Sequence, residues 1–188
     1  MKPVPRLADT SEIQTLVQEF LRRESEDSFR RLYRACTPRL YQFALRVTGR
    51  NTNDANDVVQ EAWVRAVERL HEFRWKSAFT TWLTGIALNC SRELNRRRPE
   101  PGVQPNTEAL LATARPIPEK VDLETAIGFL PAGYRTVLIL HDIEGFQHDE
   151  IAELLDIEVG SSKSQLSRAR ASVRTMLTQN GSMEYLDE

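Results

Sequence analysis

Five of the chain's nine prolines lie between residues 99 and 121, at Pro99, Pro101, Pro105, Pro116 and Pro118. Each removes a backbone donor and breaks a helix, so this stretch reads as an extended linker. The chain must then fold as two segments of roughly 95 and 65 residues, each with its own core. Small domains bury proportionally less surface, so modest stability is expected of either half alone. A total of 188 residues suits two such domains, and no internal repeat is visible.

Both segments read as helical. Ser11-Glu12-Ile13-Gln14 fits a capping box, followed by the stripe Ile13, Leu16, Val17, Phe20 and Leu21. A second helix starts near Ser28, with Phe29, Leu32 and Tyr33 inward, and Leu40, Tyr41, Ala44, Leu45 and Val47 form a further stripe after Pro38. Gly49 to Asn53 read as a turn. Ala55, Val58, Val59, Ala62, Trp63, Ala66, Val67 and Leu70 then hold helical spacing for more than four turns. Thr80 or Thr81 is expected to cap the next helix, with Trp82, Leu83, Ile86, Ala87, Cys90 and Leu94 inward and an end at Arg96-Arg97-Arg98-Pro99. Beyond the linker, helices are predicted near 122–129, 132–143, 148–155 and 161–178. Pro131 sits at a helix start, where its missing N–H costs little. Gly145 separates the second of these helices from the third, and residues 156–160 separate the third from the fourth. No alternating strand pattern appears. The fold class is therefore all-α: two small helical domains joined by a Pro-rich linker, the second containing a helix-turn-helix.

Composition removes several functions. No apolar run reaches the ~18 residues of a membrane span, and the N-terminus has no apolar stretch of signal-peptide length. Cys36 and Cys90 are too few for a disulfide framework and not in a CxxC pair. A cytoplasmic, reduced protein is the expectation, with both cysteines as small buried residues. His71, His141 and His148 do not cluster with cysteines at zinc spacing, and neither a phosphate loop nor a nucleophile elbow is present. Catalytic residues, a resident metal, a cofactor and a small-molecule substrate are accordingly not expected.

Charge is unevenly placed. Residues 29–98 carry a net charge of +8 and residues 122–188 a net charge of −7, inside a chain of net charge −2. The basic segment suits a polyanion, though a solvated face would look the same on charge alone. The last helix gathers the cations of the acidic half. Ser161, Ser162, Lys163, Ser164, Gln165, Ser167, Arg168, Arg170 and Arg174 surround the apolar positions Leu166, Ala169, Val173 and Leu177, and no acid occurs from Ser161 to Met183. Hydroxyls and exposed N–H groups at such a helix start suit phosphates and base edges.

Two further patches stand out. Phe73, Trp75, Phe79 and Trp82 alternate with Arg74 and Lys76 within ten residues. Rings stack on unpaired bases while cations hold the backbone, which suits single-stranded nucleic acid. Phe79 and Trp82 can equally face a helical core, whereas Phe73 and Trp75 flank charged residues in a loop. The second patch is Asp54, Asp57, Gln60, Glu61 and Val64, on or near one face of the long helix. It is either a well-capped helix start or a protein-docking face.

Together these pieces resemble a bacterial RNA polymerase sigma factor of the extracytoplasmic-function type, with regions 2 and 4 only. The resemblance rests on Asp54-Ala55-Asn56-Asp57-Val58-Val59-Gln60-Glu61-Ala62-Trp63, Phe73-Arg74, Ala78-Phe79-Thr80-Thr81-Trp82-Leu83, Ile86-Ala87 and Asn89. In the second half it rests on Leu130-Pro131, Tyr134-Arg135, Glu150 to Leu155 and Gly160 to Arg170. It implies a helix at 1–25 packing on region 2, region 2 at 26–98, a linker at 99–121 near the RNA exit path, region 4 at 122–178 and a tail at 179–188. It further implies that Asp54, Asp57, Gln60, Glu61 and Val64 dock on the coiled coil of the polymerase core's largest subunit, with the flap as a further contact. Phe73, Arg74, Trp75, Lys76, Ser77, Phe79, Trp82, Asn89, Arg92 and Arg96 would recognise and melt the −10 element, the loop at 71–79 capturing an unpaired base. Ser161, Ser162, Lys163, Ser164, Gln165, Ser167, Arg168 and Arg170 would read the −35 element. An anti-sigma factor is implied as inhibitory partner. The chain departs from the pattern at Trp75 and Asp156, where glycine is usual, and at Gln165, where a basic residue is usual. Aspartate tolerates left-handed geometry, and glutamine can read adenine. The competing reading is a helix-turn-helix regulator that binds duplex DNA without polymerase; it leaves the aromatic loop and the 54–64 face unexplained.

Overall fold

The computed structural model describes residues 9–97 and 122–179. The predicted linker and the tail beyond residue 179 lie outside them. The chain divides into two compact units, one built from residues 9–45 and 52–97, the other from residues 46–51 and from residue 122 onward. Among the described residues there are eight α-helices and no strand.

The first unit begins with α1, Thr10–Arg23. Its cap is Asp9, two residues before the predicted capping box: the Asp9 carboxylate accepts from the N–H groups of Ser11 at 2.8 Å and Glu12 at 2.9 Å. Ionised carboxylate makes the stronger acceptor there, and the Ser11 hydroxyl donates to it as well. Glu24, in left-handed geometry, closes the helix by donating its N–H to the Phe20 carbonyl.

Helix α2 runs unbroken from Glu26 to Val47, with Pro38 inside it. The two stripes predicted on either side of Pro38 are therefore one helix. An interior proline costs about 3 kcal/mol. Leu32, Cys36, Leu40 and Phe43 are all buried at spacings of three or four, so one apolar face passes through the proline in register. Pro38 itself is exposed. Burial on both sides outweighs the lost backbone bond.

Helix α3, Thr52–Arg69, ends in a short 3₁₀ turn at Leu70–Glu72. Of its predicted stripe, all but Val67 are buried. Trp63 joins Phe29, Tyr33 and Phe79 with ring centroids 5.2–6.4 Å apart, and its indole N–H donates to the Thr37 hydroxyl at 3.0 Å. Phe20 reaches the same cluster through Phe29, which brings α1 into this core. Helix α4, Phe79–Arg97, starts earlier than predicted: the Trp82 N–H donates to the Ala78 carbonyl, so Thr80 and Thr81 lie inside the first turn rather than capping it.

The second unit opens with α5, Leu123–Phe129, capped by Asp122 on the Thr125 N–H at 2.7 Å. Helix α6, Ala132–Leu138, follows Pro131 and passes into a π-helical turn at Ile139–Ile143, where one regular helix was predicted. Helix α7, His148–Leu155, ends at Asp156 in left-handed geometry, φ 56°, as its tolerance of that region predicts. Helix α8, Val159–Gln179, starts two residues early, so Gly160 belongs to its first turn. Leu130, Tyr134, Val137, Ile139, Leu140, Ile151, Leu166, Ala169 and Val173 form the core beneath the α7–α8 corner.

Candidate functional site

Three surfaces carry the predicted residues. On α3, Asp57, Gln60, Glu61 and Val64 are exposed on one face. They share an open groove of about 540 Å³ with Arg65 and with Cys90, Glu93 and Leu94 of α4. Arg65 organises it: the guanidinium donates to both carboxylate oxygens of Glu93, at 2.8 and 2.7 Å, and to Glu61 at 2.7 Å. These bonds, to Glu93 first and Glu61 second, push the guanidinium's pKa further up. Val64 is 55% exposed, an apolar group standing between acids. Asp54 differs from the prediction. It is only 4% exposed, because it packs inward at the start of α3, and it is not part of the outer face.

The aromatic loop resolves into core and surface. Phe73 is the hub: its ring lies 5.0 Å from Trp82, 4.9 Å from Trp75 and 5.8 Å from Phe79. Phe73 and Phe79 are buried: Phe73 lies inside the ring cluster, away from the predicted contact, while Phe79 lines a cavity beside the loop. Trp82 is half-buried. Trp75 is 39% exposed and sits at φ 58°, in the left-handed region glycine normally supplies. Such a backbone costs of order 1–3 kcal/mol and is found where surroundings hold it. Here the Phe73 ring is that support. Arg74, Lys76, Ser77, Asn89 and Arg96 are exposed and Arg92 is half-buried.

On α8, Lys163, Ser164, Ser167, Arg168, Arg170 and Arg174 are exposed. Two of these cations are already engaged. Arg170 donates to both oxygens of Asp142, at 2.6 and 3.0 Å, and Arg168 donates to the Tyr134 hydroxyl at 3.3 Å. The pairing holds the Asp142 carboxyl below the usual carboxylate range, Arg170 being the main cause. Ser162 is fully buried, its hydroxyl 2.9 Å from His148 Nδ1, so it fixes the α7–α8 corner and is unavailable to DNA. Gln165 is half-buried and its side-chain oxygen lies beside Gly133 of α6. Ser161 is half-buried, and its carbonyl accepts from the Ser164 hydroxyl.

Cys36 and Cys90 are both buried, and burial pushes the Cys36 thiol up to about 12 and raises that of Cys90. His141 and His148 stack, yet no group of three metal-holding side chains occurs among the described residues. No helix among them is long and apolar enough to cross a membrane.

The sequence reading missed the orienting role of Arg65. Its spacing to Glu61 was a legible signal, whereas Glu93 comes from another helix. It also missed Thr10 and Gln14, which line a cavity beside the aromatic loop and carry no sequence signal of their own.

Two family models match the chain: Sigma-70 region 2 over residues 32–99 and Sigma-70 region 4 over residues 120–173. The fold is thus that of a sigma-70-type transcription initiation factor. An ECF RNA polymerase sigma factor of Mycolicibacterium smegmatis, SigE, is 30% identical over 82% of this chain, which spans 63% of that protein's length. SigM of Mycobacterium tuberculosis is 30% identical over 80% of the chain and 77% of its own. The ECF sigma-E factor of Escherichia coli is 33% identical over 65% and 73%. The solved structure of CnrH in complex with the cytosolic domain of CnrY is similar at TM-score 0.60 and 28% identity, covering 92% of this chain and all of that one. RpoE in complex with the anti-sigma factor NepR from Bartonella quintana shares the fold at TM-score 0.60 and 23% identity, covering 80% and 96%. The chain belongs to the ECF RNA polymerase sigma factor family.

Proposed function

We propose that this protein binds RNA polymerase core and directs initiation at promoters whose −35 element it reads as duplex and whose −10 element it melts. The observation that carries the reading is the division of labour within the first unit. One face of α3 presents Asp57, Gln60, Glu61 and Val64 around the Arg65 clamp, an acidic-apolar surface suited to a protein partner. The loop after α3 presents Trp75 between Arg74 and Lys76, a ring and two cations suited to unpaired strand. In the second unit, Lys163, Ser164, Ser167 and Arg168 are the exposed residues of α8 suited to a major groove. Core would hold both units over one promoter, adding an effective concentration neither has alone. The largest-subunit coiled coil is the partner for α3, and the flap for the second unit. An anti-sigma factor would hold the chain from core; the two solved neighbours, each described with a second protein, support that partner.

Run-off transcription over a genomic promoter library tests this. Core plus the protein should yield specific transcripts, and neither alone should. Tight specific binding to duplex DNA without core would instead favour a free-standing regulator.

A further inference from the structure

The aromatic loop faces a second wall. A cavity of about 260 Å³ lies between α1 and residues 75–80. It is smaller than the ~300–1,000 Å³ of sites for drug-sized ligands, leaving room for a single ring system. Ile13 and Phe79 supply an apolar floor, Trp75 an exposed ring at the edge, and Thr10, Gln14 and Ser77 uncharged polar groups. No charged side chain lines it. Arg74 and Lys76, on either side of Trp75, are exposed. The chemistry is that of a nucleobase inside and its phosphates outside.

Thr10 and Gln14 are one turn apart on α1, so they share a face, and both are exposed toward solvent rather than spent in the core. Glutamine carries a donor and an acceptor side by side, which matches the edge of a base and discriminates among bases by pairing. We propose that α1 is part of the promoter-reading surface, with Gln14 reading the edge of an unpaired base stacked on Trp75. This rests on the reading of the loop as a base-capturing element and adds the residue that chooses the base. The helix that closes the core of the first unit thereby also sets a letter of the promoter.

The test uses the full chain assembled with core polymerase and a promoter library randomised across the −10 element. Wild-type holoenzyme should prefer one base at the captured position. Gln14→Ala should flatten that preference roughly tenfold and leave the other positions unchanged. Gln14→Glu, an acceptor only, should redistribute it toward bases that donate from an amino group, guanine first because its N1–H and N2–H2 lie side by side, and away from thymine, which has none. Trp75→Ala should flatten the same position by removing the stacking face. If Trp75→Ala acts and both Gln14 variants keep the wild-type profile, the role of Gln14 is overturned while base capture stands. If none of the three changes any position, base capture by this loop is overturned with it. If the wild-type holoenzyme selects nothing, the proposed function itself fails.

Discussion

The imidazoles of His141 and His148 stack with centroids 4.6 Å apart and planes 29° from parallel, joining the π-helical turn to the first turn of α7. His148 also meets the buried Ser162 hydroxyl, and His141 Nδ1 lies 2.8 Å from Asp142. A proton on His148 meets His141, Lys163 and Arg170, with Asp142 as the opposing charge.

The stack makes the helix-turn-helix sensitive to acid. Burial is the main cause of the lowered His148 pKa, followed by His141, Lys163 and Arg170. A histidine depressed in the folded state stabilises the fold fully above its unfolded value of 6.5, and that contribution is lost as pH falls through the folded value. Thermal melting should therefore weaken below pH 6.5. His141→Phe keeps a ring in the stack without its charge, so its melting should depend less on pH. Superimposable pH profiles for the two proteins would refute this.

Arg65 should matter more for docking than for stability. Its partners are partly exposed, so Arg65→Lys should cost at most about 1 kcal/mol on unfolding. Lysine cannot grip Glu93 through two parallel bonds, which leaves Glu61 and Glu93 free to swing. Affinity for core, read by titration of labelled protein, should fall severalfold, as it should for Asp57→Ala with Glu61→Ala. Unchanged affinity in all of them would remove the α3 face from the docking surface.

At Trp75 two effects oppose each other. Trp75→Gly relieves left-handed strain of order 1–3 kcal/mol and loses a ring contact with Phe73 of about 0.5–1.5 kcal/mol. Denaturant unfolding should show little change or a small gain. Promoter opening, read as permanganate reactivity of unpaired thymines, should fall sharply because the exposed ring is gone. Full opening by the variant would show that Trp75 does not serve strand capture.

Asp156 holds the turn of the helix-turn-helix at φ 56°. Asp156→Gly should leave stability unchanged or raise it, while Asp156→Ala should lower it by about 1–2 kcal/mol. Chemical denaturation of the three proteins distinguishes these outcomes, and equal stability of the alanine and glycine variants would show that backbone geometry is not the reason.

Apolar spacing and motif order were enough to read the all-α class, the positions of most helices and the family. Helical spacing of apolar residues is a local property, and α3 with the 3₁₀ turn after it carries it from Ala55 to Leu70, Val67 alone standing exposed. Contacts between helices were settled by packing. Pro38 looks like a break until one sees a single buried face running through it. Phe73 and Trp75 are near neighbours of similar chemistry, yet the first became the hub of a ring cluster and the second an exposed edge. Ser162 lies two residues before the exposed Ser164 in sequence and is fully buried against His148. The reason is the same in each case. Local pattern sets which way a helix turns its side chains, but whether a side chain meets water, a ring or a charge depends on what other elements bring to that face.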